Sequence, residues 1–306
     1  MRLGLLYVVL ACCGWGFAFV GPLILGDWPG LVVAAGRYVA YGLVSLVMLQ
    51  FARRGSASLR TPRVWRDATL LTLSGNLLYY AFLSIAVQKA GYVMPTLIIG
   101  LLPVTVSLLG RVRTRRAPSV RYVGALLLIL GGLWLAHAPP PQSLEHPAPS
   151  AADYALGVGC ALASLLLWTI YGVVNTERLK ASPGIDGVQW SSLQGAAALP
   201  FALLLFVATP RLPHAAADWG LFVVVSLILG LVTSWVANAL WNIASTQLPP
   251  SLLGQMIVFE TIAGIAYGAV WSRALPETAV LAGAVILVAG VVLAISEPPI
   301  PAAQPA

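Results

Sequence analysis

Two ionisable residues, Arg37 and Glu260, lie deep inside long apolar segments of this 306-residue sequence. A charge in such surroundings is costly and is therefore a functional candidate. Two interpretations of the pair are open. Glu260 could carry a coupling proton, or it could neutralise Arg37 in a buried ion pair. The ion pair is favoured, because no other carboxylate in the middle of an apolar segment could serve Arg37.

Two polar stripes follow the i, i+4, i+8 spacing of one helix face. Their members are Asn76, Tyr80 and Ser84 in the first half of the chain and Ser234, Asn238 and Asn242 in the second. Polar side chains in lipid turn toward the interior of a helix bundle, so the stripes are expected to face a central cavity. The alternative is that they form hydrogen bonds that only hold helices together.

Aromatic residues cluster around the same positions. They are Trp15, Phe17, Tyr79, Tyr80, Trp168, Tyr171, Trp235 and Trp241. They could simply pack, but aromatic walls with scattered amides also suit a substrate that has an apolar side chain and a polar head. The predicted substrate-binding set is Asn76, Tyr79, Tyr80, Ser84, Trp168, Tyr171, Asn175, Ser234, Asn238, Trp241 and Asn242.

The composition requires that lipid surrounds most of the chain. Hydrophobic residues make up 59% of it and charged residues only 9%, far below the content of soluble domains. Ten segments are long enough to cross a bilayer as helices. They lie near 3–22, 30–51, 68–88, 92–110, 119–137, 154–176, 185–208, 219–243, 251–271 and 277–295. The predicted fold is an all-α integral membrane protein with ten transmembrane helices.

The basic residues predict the topology. Thirteen of the 17 Lys and Arg residues fall on one side of the predicted helices, at the N-terminus and in the second, fourth and sixth connections. The positive-inside rule then places both termini in the cytoplasm of a bacterial cell, with the chain in the inner membrane. The net charge of +7 has no basic stripe or recognition helix, so nucleic acid is excluded as a partner.

A Pro-rich stretch divides the chain into two halves. Residues 139–152 read as an external linker between a five-helix repeat at 1–138 and a second at 153–296, followed by a cytoplasmic tail at 297–306. An odd number of helices per half makes the second repeat run inverted. Two internal matches agree with this: Gly124-Ala125 recurs as Gly283-Ala284, and Ile85-Ala86 as Ile243-Ala244.

Proline and glycine in the helices suggest bends and close contacts. Pro95 and Pro103 in the fourth helix could form a gate or a static kink, because proline removes a backbone hydrogen bond. Gly131, Gly132, Gly283 and Gly290 predict close helix packing.

Catalytic and metal-binding motifs are missing from the sequence. It has no nucleophile elbow, zinc-protease motif, paired intramembrane aspartates or phosphate-binding loop. Its three Cys and three His have no ligand spacing, so no metal or cofactor is expected. A membrane scaffold or an embedded lipid-modifying enzyme remains an alternative to transport, and Glu260 is the only mid-membrane carboxylate such an enzyme could use.

The pattern resembles the drug/metabolite transporter superfamily in its ten-helix EamA-type branch. The resemblance covers residues 3–296 and rests on Trp15-Gly16, Arg37-Tyr38, the two Gly-Ala patterns and Glu260. Within that branch the chain looks most like the YddG-type aromatic amino acid exporters, through Trp168-x-x-Tyr171-x-x-x-Asn175 and Trp241-Asn242.

The resemblance implies export by alternating access at a cavity between the halves. We expect a secondary transporter for amino acids, with aromatic and other neutral ones favoured, or for related metabolites. Its partners would be this small-molecule substrate and membrane lipid. The alternative is export of drugs or quaternary cations, possibly coupled to protons, because aromatic faces hold such cations.

Overall fold

The computed structural model describes residues 2–52, 61–113, 119–136, 149–210, 218–248, 253 and 256–295, and within them the regular structure is helical. Ten helical segments lie in this part of the chain, so the predicted fold class is confirmed. They are α1 (Arg2–Ile24), α2 (Gly30–Ala52), α3 (Pro62–Ala90), α4 (Val93–Ile99 and Leu102–Arg113), α5 (Val120–Leu135), α6 (Ala151–Lys180), α7 (Gly187–Ala208), α8 (Trp219–Gln247), α9 (Val258–Ser272) and α10 (Thr278–Ile295).

Six helices in the described part of the chain are long enough to cross a bilayer. By length and apolar composition, α1, α2, α3, α6, α7 and α8 can each cross a membrane, and shorter apolar helices lie in α4, α5 and α10. The predicted tail and most of the predicted linker lie outside the described residues. The boundaries of the two repeats and the side on which the termini lie stay predictions.

Several helices begin at a side chain that caps free backbone amides. Ser119, Ser150, Asp186 and Asp218 each accept a hydrogen bond from the amide three residues later, at the starts of α5, α6, α7 and α8. Such caps satisfy amides that have no partner inside the helix. The local sequence therefore defines where these four helices start.

The helices pack as expected for a pseudo-twofold axis between the halves. Helix α2 packs on α7, and α5 packs on α10, so equivalent helices meet each other. Helix α3 packs on α6, and α1 packs on α8. The twofold operation exchanges α3 with α8 and α6 with α1, so these two contacts are equivalent. Such an axis passes between α2 and α7 and between α5 and α10.

The contact between α5 and α10 depends on glycine. A Cβ atom on Gly132 would lie 2.6 Å from the carbonyl oxygen of Gly283, and one on Gly290 would lie 2.8 Å from Ile129. These three glycines pack closely, as predicted. The prediction was wrong for Gly131, where a Cβ atom would meet nothing within 4 Å. Gly131 faces away from the contact that Gly132 makes, because adjacent residues point about 100° apart on a helix.

Both α3 and α8 contain a π-helical segment, at Leu73–Leu78 and Leu229–Val236. The Tyr79 amide donates to the Ser74 carbonyl, and the Ala237 amide donates to the Val232 carbonyl, five residues back in each case. Tyr79 and Ala237 are 158 positions apart, the same shift that relates Ile85 to Ile243. The two halves therefore share a feature that no residue pattern had indicated.

The prolines of α4 each lie in the first turn of a helical piece. Pro95 is the third residue of Val93–Ile99, and Pro103 is the second residue of Leu102–Arg113. Proline is well tolerated in a first turn, because the amide it lacks has no helical partner there. Helix α4 breaks between them, next to Gly100. The choice between a gate and a static kink at Pro95 and Pro103 stays a prediction.

Candidate functional site

A small cavity lies near the pseudo-twofold axis. Its walls are formed by Trp15, Ala18, Arg37, Tyr38, Gly75, Asn76, Tyr79, Trp168, Asn238 and Glu260. These residues come from α1, α2, α3, α6, α8 and α9, so both halves contribute. The space that the centre of a water molecule can occupy is about 20 Å³, which is enough for one or two waters. The cavity is therefore constricted in this conformation.

Arg37 enters the cavity wall from α2 and is held by α8 and α3. Its Nε atom donates to Ser234 Oγ at 2.8 Å, and its Nη2 atom donates to the Thr233 carbonyl at 3.4 Å. The guanidinium carbon lies 4.0 Å from the centre of the Tyr80 ring, a favourable cation-π arrangement. Its Nη1 atom is buried and has no hydrogen-bond partner among the described residues. One face of the guanidinium therefore remains available to a ligand.

Glu260 reaches the same cavity from the first turn of α9, where the helix dipole favours a negative charge. Both Glu260 and Arg37 are only 4% exposed. No ion pair within 4 Å joins them in the described part of the chain, since Ser234, Thr233 and Tyr80 hold the guanidinium instead. The favoured ion pair is therefore not formed in this conformation, and the roles of Arg37 and Glu260 stay predictions. The two side chains, one basic and one acidic, line one cavity from different helices.

Three indoles pack together beside the cavity. The Trp15 ring centre lies 6.0 Å from that of Trp168 and 5.1 Å from that of Trp241. Trp15 Nε1 donates to Asn238 Oδ1 at 3.1 Å, so the amide and the indole hold each other. Trp15 and Trp168 line the cavity, and Trp241 lies behind them. Phe17 and Trp235 make other contacts, since Phe17 packs on Tyr267 and Trp235 donates to Ser192.

Gln194 of α7 is the centre of a second polar cluster. Its Oε1 atom accepts hydrogen bonds from Asn76 Nδ2 at 3.2 Å and from the Tyr171 hydroxyl at 2.9 Å. Its Nε2 atom donates to Asn175 Oδ1 at 2.6 Å, and Trp190 Nε1 donates to the same oxygen at 2.7 Å. Tyr171 and Asn175 are therefore used in hydrogen bonds between helices and do not line the cavity.

The polar stripes are split by the π-helical segments. Asn76 and Tyr79 line the cavity, whereas Tyr80 donates to the Ala18 carbonyl at 3.2 Å and Ser84 is fully buried. A π turn holds more residues than an α turn. Residues spaced four apart therefore do not stay on one face of a helix that contains a π-helical segment.

The second stripe divides in the same way. Asn238 lines the cavity, Ser234 binds Arg37, and Asn242 bonds to Asn175 and to the Gly187 carbonyl at 3.4 Å. Of the predicted substrate-binding set, the cavity walls contain Asn76, Tyr79, Trp168 and Asn238.

Sequence reasoning missed Gln194, Gly75 and Tyr38. A signal for Gln194 exists, because Arg37 and Gln194 are 157 positions apart, close to the 158 that relates α3 to α8. The equivalence is visible in their contacts. Arg37 bonds to Ser234 in the π-helical segment of α8, and Gln194 bonds to Asn76 in that of α3. Gly75 carried no signal, since its role depends on backbone geometry.

Comparisons with known proteins agree with this architecture. Residues 2–137 match the EamA-like transporter family. The chain is 33% identical to the inner membrane protein YtfF of Escherichia coli K12, over 97% of this chain and 96% of that protein. It is 24% identical to a protein named biotin transporter from the same organism, over 94% of this chain and 91% of that protein. A crystal structure at 19% identity and TM-score 0.65 covers 95% of this chain and 96% of that one, so the fold is shared.

Proposed function

Because this chain belongs to the EamA-like transporter family of multi-pass membrane proteins, we propose that it exports small zwitterionic amino acids, with aromatic ones preferred, by alternating access. One observation carries the proposal. Arg37, whose buried Nη1 atom has no hydrogen-bond partner among the described residues, and Glu260 line the same cavity without an ion pair between them. Two separate opposite charges match a ligand that has a carboxylate and an ammonium group.

The energetics favour a zwitterion over a ligand with a single charge. Burying an unpaired charge is costly, and a ligand that leaves one of the two residues unpaired does not relieve that cost. A zwitterion supplies a partner to each wall at once. A carboxylate on Arg37 and an ammonium group on Glu260 would both form charge-assisted hydrogen bonds, which are the stronger kind.

The surroundings of the charges suit a flat apolar side chain. Trp15 and Trp168 form one wall beside the amides of Asn76 and Asn238. Aromatic rings pack against each other favourably in offset or edge-to-face arrangements. We therefore expect phenylalanine-like substrates to bind more tightly than threonine-like ones.

Transport requires a wider cavity than the one described. A space of about 20 Å³ for water centres cannot hold an amino acid. In the proposed cycle, substrate binds a conformation in which the halves have separated on one side, and closure then brings both charges onto it.

Biotin is a second candidate, because a relative at 24% identity carries the name biotin transporter. Biotin has a carboxylate that Arg37 could bind, but it has no ammonium group, so Glu260 would face a neutral ligand. Quaternary cations would pair with Glu260 but would lie in the same cavity as Arg37, which repels them. The charge pattern therefore favours the amino acid.

The experiment is counterflow in proteoliposomes that contain only the purified protein. Uptake of labelled phenylalanine is measured in competition with threonine, 3-phenylpropionate, phenethylamine, biotin and tetraphenylphosphonium, with and without a pH gradient. We expect phenylalanine to compete best, and the two analogues with one charge to compete at least about tenfold less well. Biotin or tetraphenylphosphonium as the sole competitor would refute the proposal.

Variants of Glu260 separate the two charges. Glu260→Gln should lose preference for phenylalanine over 3-phenylpropionate, because the ammonium group has lost its charged partner. The exposed Glu277→Gln carries the same chemical change outside the cavity and should behave as the wild type. Unchanged discrimination in a well-folded Glu260→Gln protein would remove Glu260 from the substrate site.

A further inference from the structure

The π-helical segment of α8 leaves one backbone carbonyl without a helical partner. The Ala237 amide donates to Val232, five residues back, and this is where α-helical geometry resumes. The Ala237 amide also reaches the Ser234 carbonyl, and the four-residue spacing of the α-helix that follows pairs the next amide, that of Asn238, with Ser234. The carbonyl of Thr233 is skipped. Arg37 Nη2 donates to that carbonyl, so a cationic side chain takes the place of the missing amide.

The same geometry recurs in α3. The Tyr79 amide donates to Ser74, five residues back, and α-helical geometry resumes at Tyr79. The Tyr79 amide also reaches the Asn76 carbonyl, and the four-residue spacing of the α-helix pairs the following amide, that of Tyr80, with Asn76. The skipped carbonyl is therefore that of Gly75, which is 158 positions before Thr233. Unlike Thr233, Gly75 lies in the wall of the central cavity.

Gly75 can present only its backbone to the cavity. A Cβ atom at this position would lie 2.0 Å from Cγ of Tyr171, so no side chain fits between α3 and α6. A buried carbonyl without a donor is unfavourable, and such groups normally find a partner in protein, water or ligand. In the other half that partner is a guanidinium.

We infer that the Gly75 carbonyl accepts a hydrogen bond from the ammonium group of the substrate, as its equivalent Thr233 accepts one from Arg37. The inference rests on the proposed function and deepens it. An ammonium group has three N–H donors, of which Glu260 can satisfy only part. A primary ammonium is then preferred over a quaternary one, which has no N–H to donate.

Deleting Leu78 tests the inference without changing a cavity residue. Leu78 lies in the π-helical segment and is exposed on the outer surface of the bundle. Removing Leu78 shortens the segment by one residue. The Tyr80 amide is then four positions after Gly75, which is the α-helical spacing, and can bond to the Gly75 carbonyl. The flanking parts of α3 keep their faces, because the segment holds one residue more than an α-helix needs. The deletion variant should fold with a melting temperature close to that of the wild type.

The measurement is equilibrium binding of labelled phenylalanine, with 3-phenylpropionate as competitor. In the Leu78 deletion we expect phenylalanine to bind about tenfold more weakly, because a hydrogen bond to a charged group is lost. Binding of 3-phenylpropionate, which has no ammonium group, should change less than about twofold. Leu78→Ala controls for the side chain and should bind both ligands as the wild type does.

Deletion of Leu43 is the matched control for the backbone. Leu43 is also an exposed leucine, but it lies in α2, an uninterrupted helix that has no residue to spare. That deletion should fail to fold. Unchanged phenylalanine binding, equal loss of both ligands, or misfolding of the Leu78 deletion would each overturn the inference about Gly75 alone. A wild type that binds no amino acid would overturn the proposed function as well.

Discussion

Arg37 and Gln194 occupy equivalent places in the two halves but differ in how many of their hydrogen-bonding atoms have partners. Gln194 bonds to Asn76, Tyr171 and Asn175, and these bonds join α3, α6 and α7. Arg37 bonds to α8 and still has one buried nitrogen without a partner among the described residues. The same backbone frame therefore supports a closed network in one half and an open charge in the other. An inverted repeat supplies two similar positions, and side-chain chemistry decides which can bind a ligand.

The largest expected effect comes from making Arg37 resemble its counterpart. Arg37→Gln should lower transport of phenylalanine by roughly 30-fold or more, because the carboxylate loses a buried charged partner. Counterflow in proteoliposomes measures this. The exposed Arg63→Gln should transport normally, since Arg63 lies in the first turn of α3 and does not line the cavity. A folded Arg37→Gln protein with normal transport would show that the open charge has no role in binding.

The reverse experiment removes the closed network. Gln194→Leu leaves Asn175, Asn76 and Tyr171 without a shared partner, at a cost of about 1–3 kcal/mol. We expect a fall in melting temperature of about 3–8 °C in detergent and a smaller change in the half-saturating concentration of the folded protein. Gln50→Leu at an exposed position of α2 is the control and should leave the melting temperature unchanged.

Equal melting temperatures for Gln194→Leu and Gln50→Leu would contradict a structural role for the Gln194 cluster. A large loss of phenylalanine affinity without loss of stability would instead place Gln194 in the substrate site. Either result would contradict the distinction between a structural Gln194 and a ligand-binding Arg37.

The smallest expected effect separates two asparagines on one helix. Asn238 lines the cavity and accepts from Trp15, whereas Asn242 bonds to Asn175 and lies outside it. Asn238→Ala should raise the half-saturating concentration for phenylalanine by about three- to tenfold. Asn242→Ala should mainly lower the melting temperature. A reversed pattern, with transport affected only by Asn242→Ala, would move the binding site toward α7.

Much of the fold was accessible from the sequence because lipid imposes simple rules. Each apolar run long enough to cross a bilayer must satisfy its own backbone as a helix, and ten such runs gave the ten observed helices. Matches such as Ile85 with Ile243 indicated the relation between the halves. The structure added the packing of α2 on α7 and of α5 on α10 that a pseudo-twofold axis requires.

The site was only partly predictable, and the failures have a common cause. Counting four residues per turn placed Tyr80 beside Asn76 on the cavity wall, but the π-helical segment brings Tyr79 there instead. Tyr80 lies under the guanidinium of Arg37. Arg37 and Glu260 were expected to pair because each lacked another obvious partner. Backbone and hydroxyl oxygens, which a sequence does not mark, held the arginine instead.

The sequence by itself determined that this chain is a membrane protein of ten helices, that its halves are related, and that one charge of each sign lies within the bilayer. Those properties follow from the length and the total hydrophobicity of each segment, to which many residues contribute. Only the tertiary structure decided that Arg37 and Glu260 form no ion pair, that Gln194 bonds to three side chains, and that Gly75 lines the cavity. Those properties depend on a surplus residue in a helix turn and on helix contacts across the axis, which arise only when distant segments pack together.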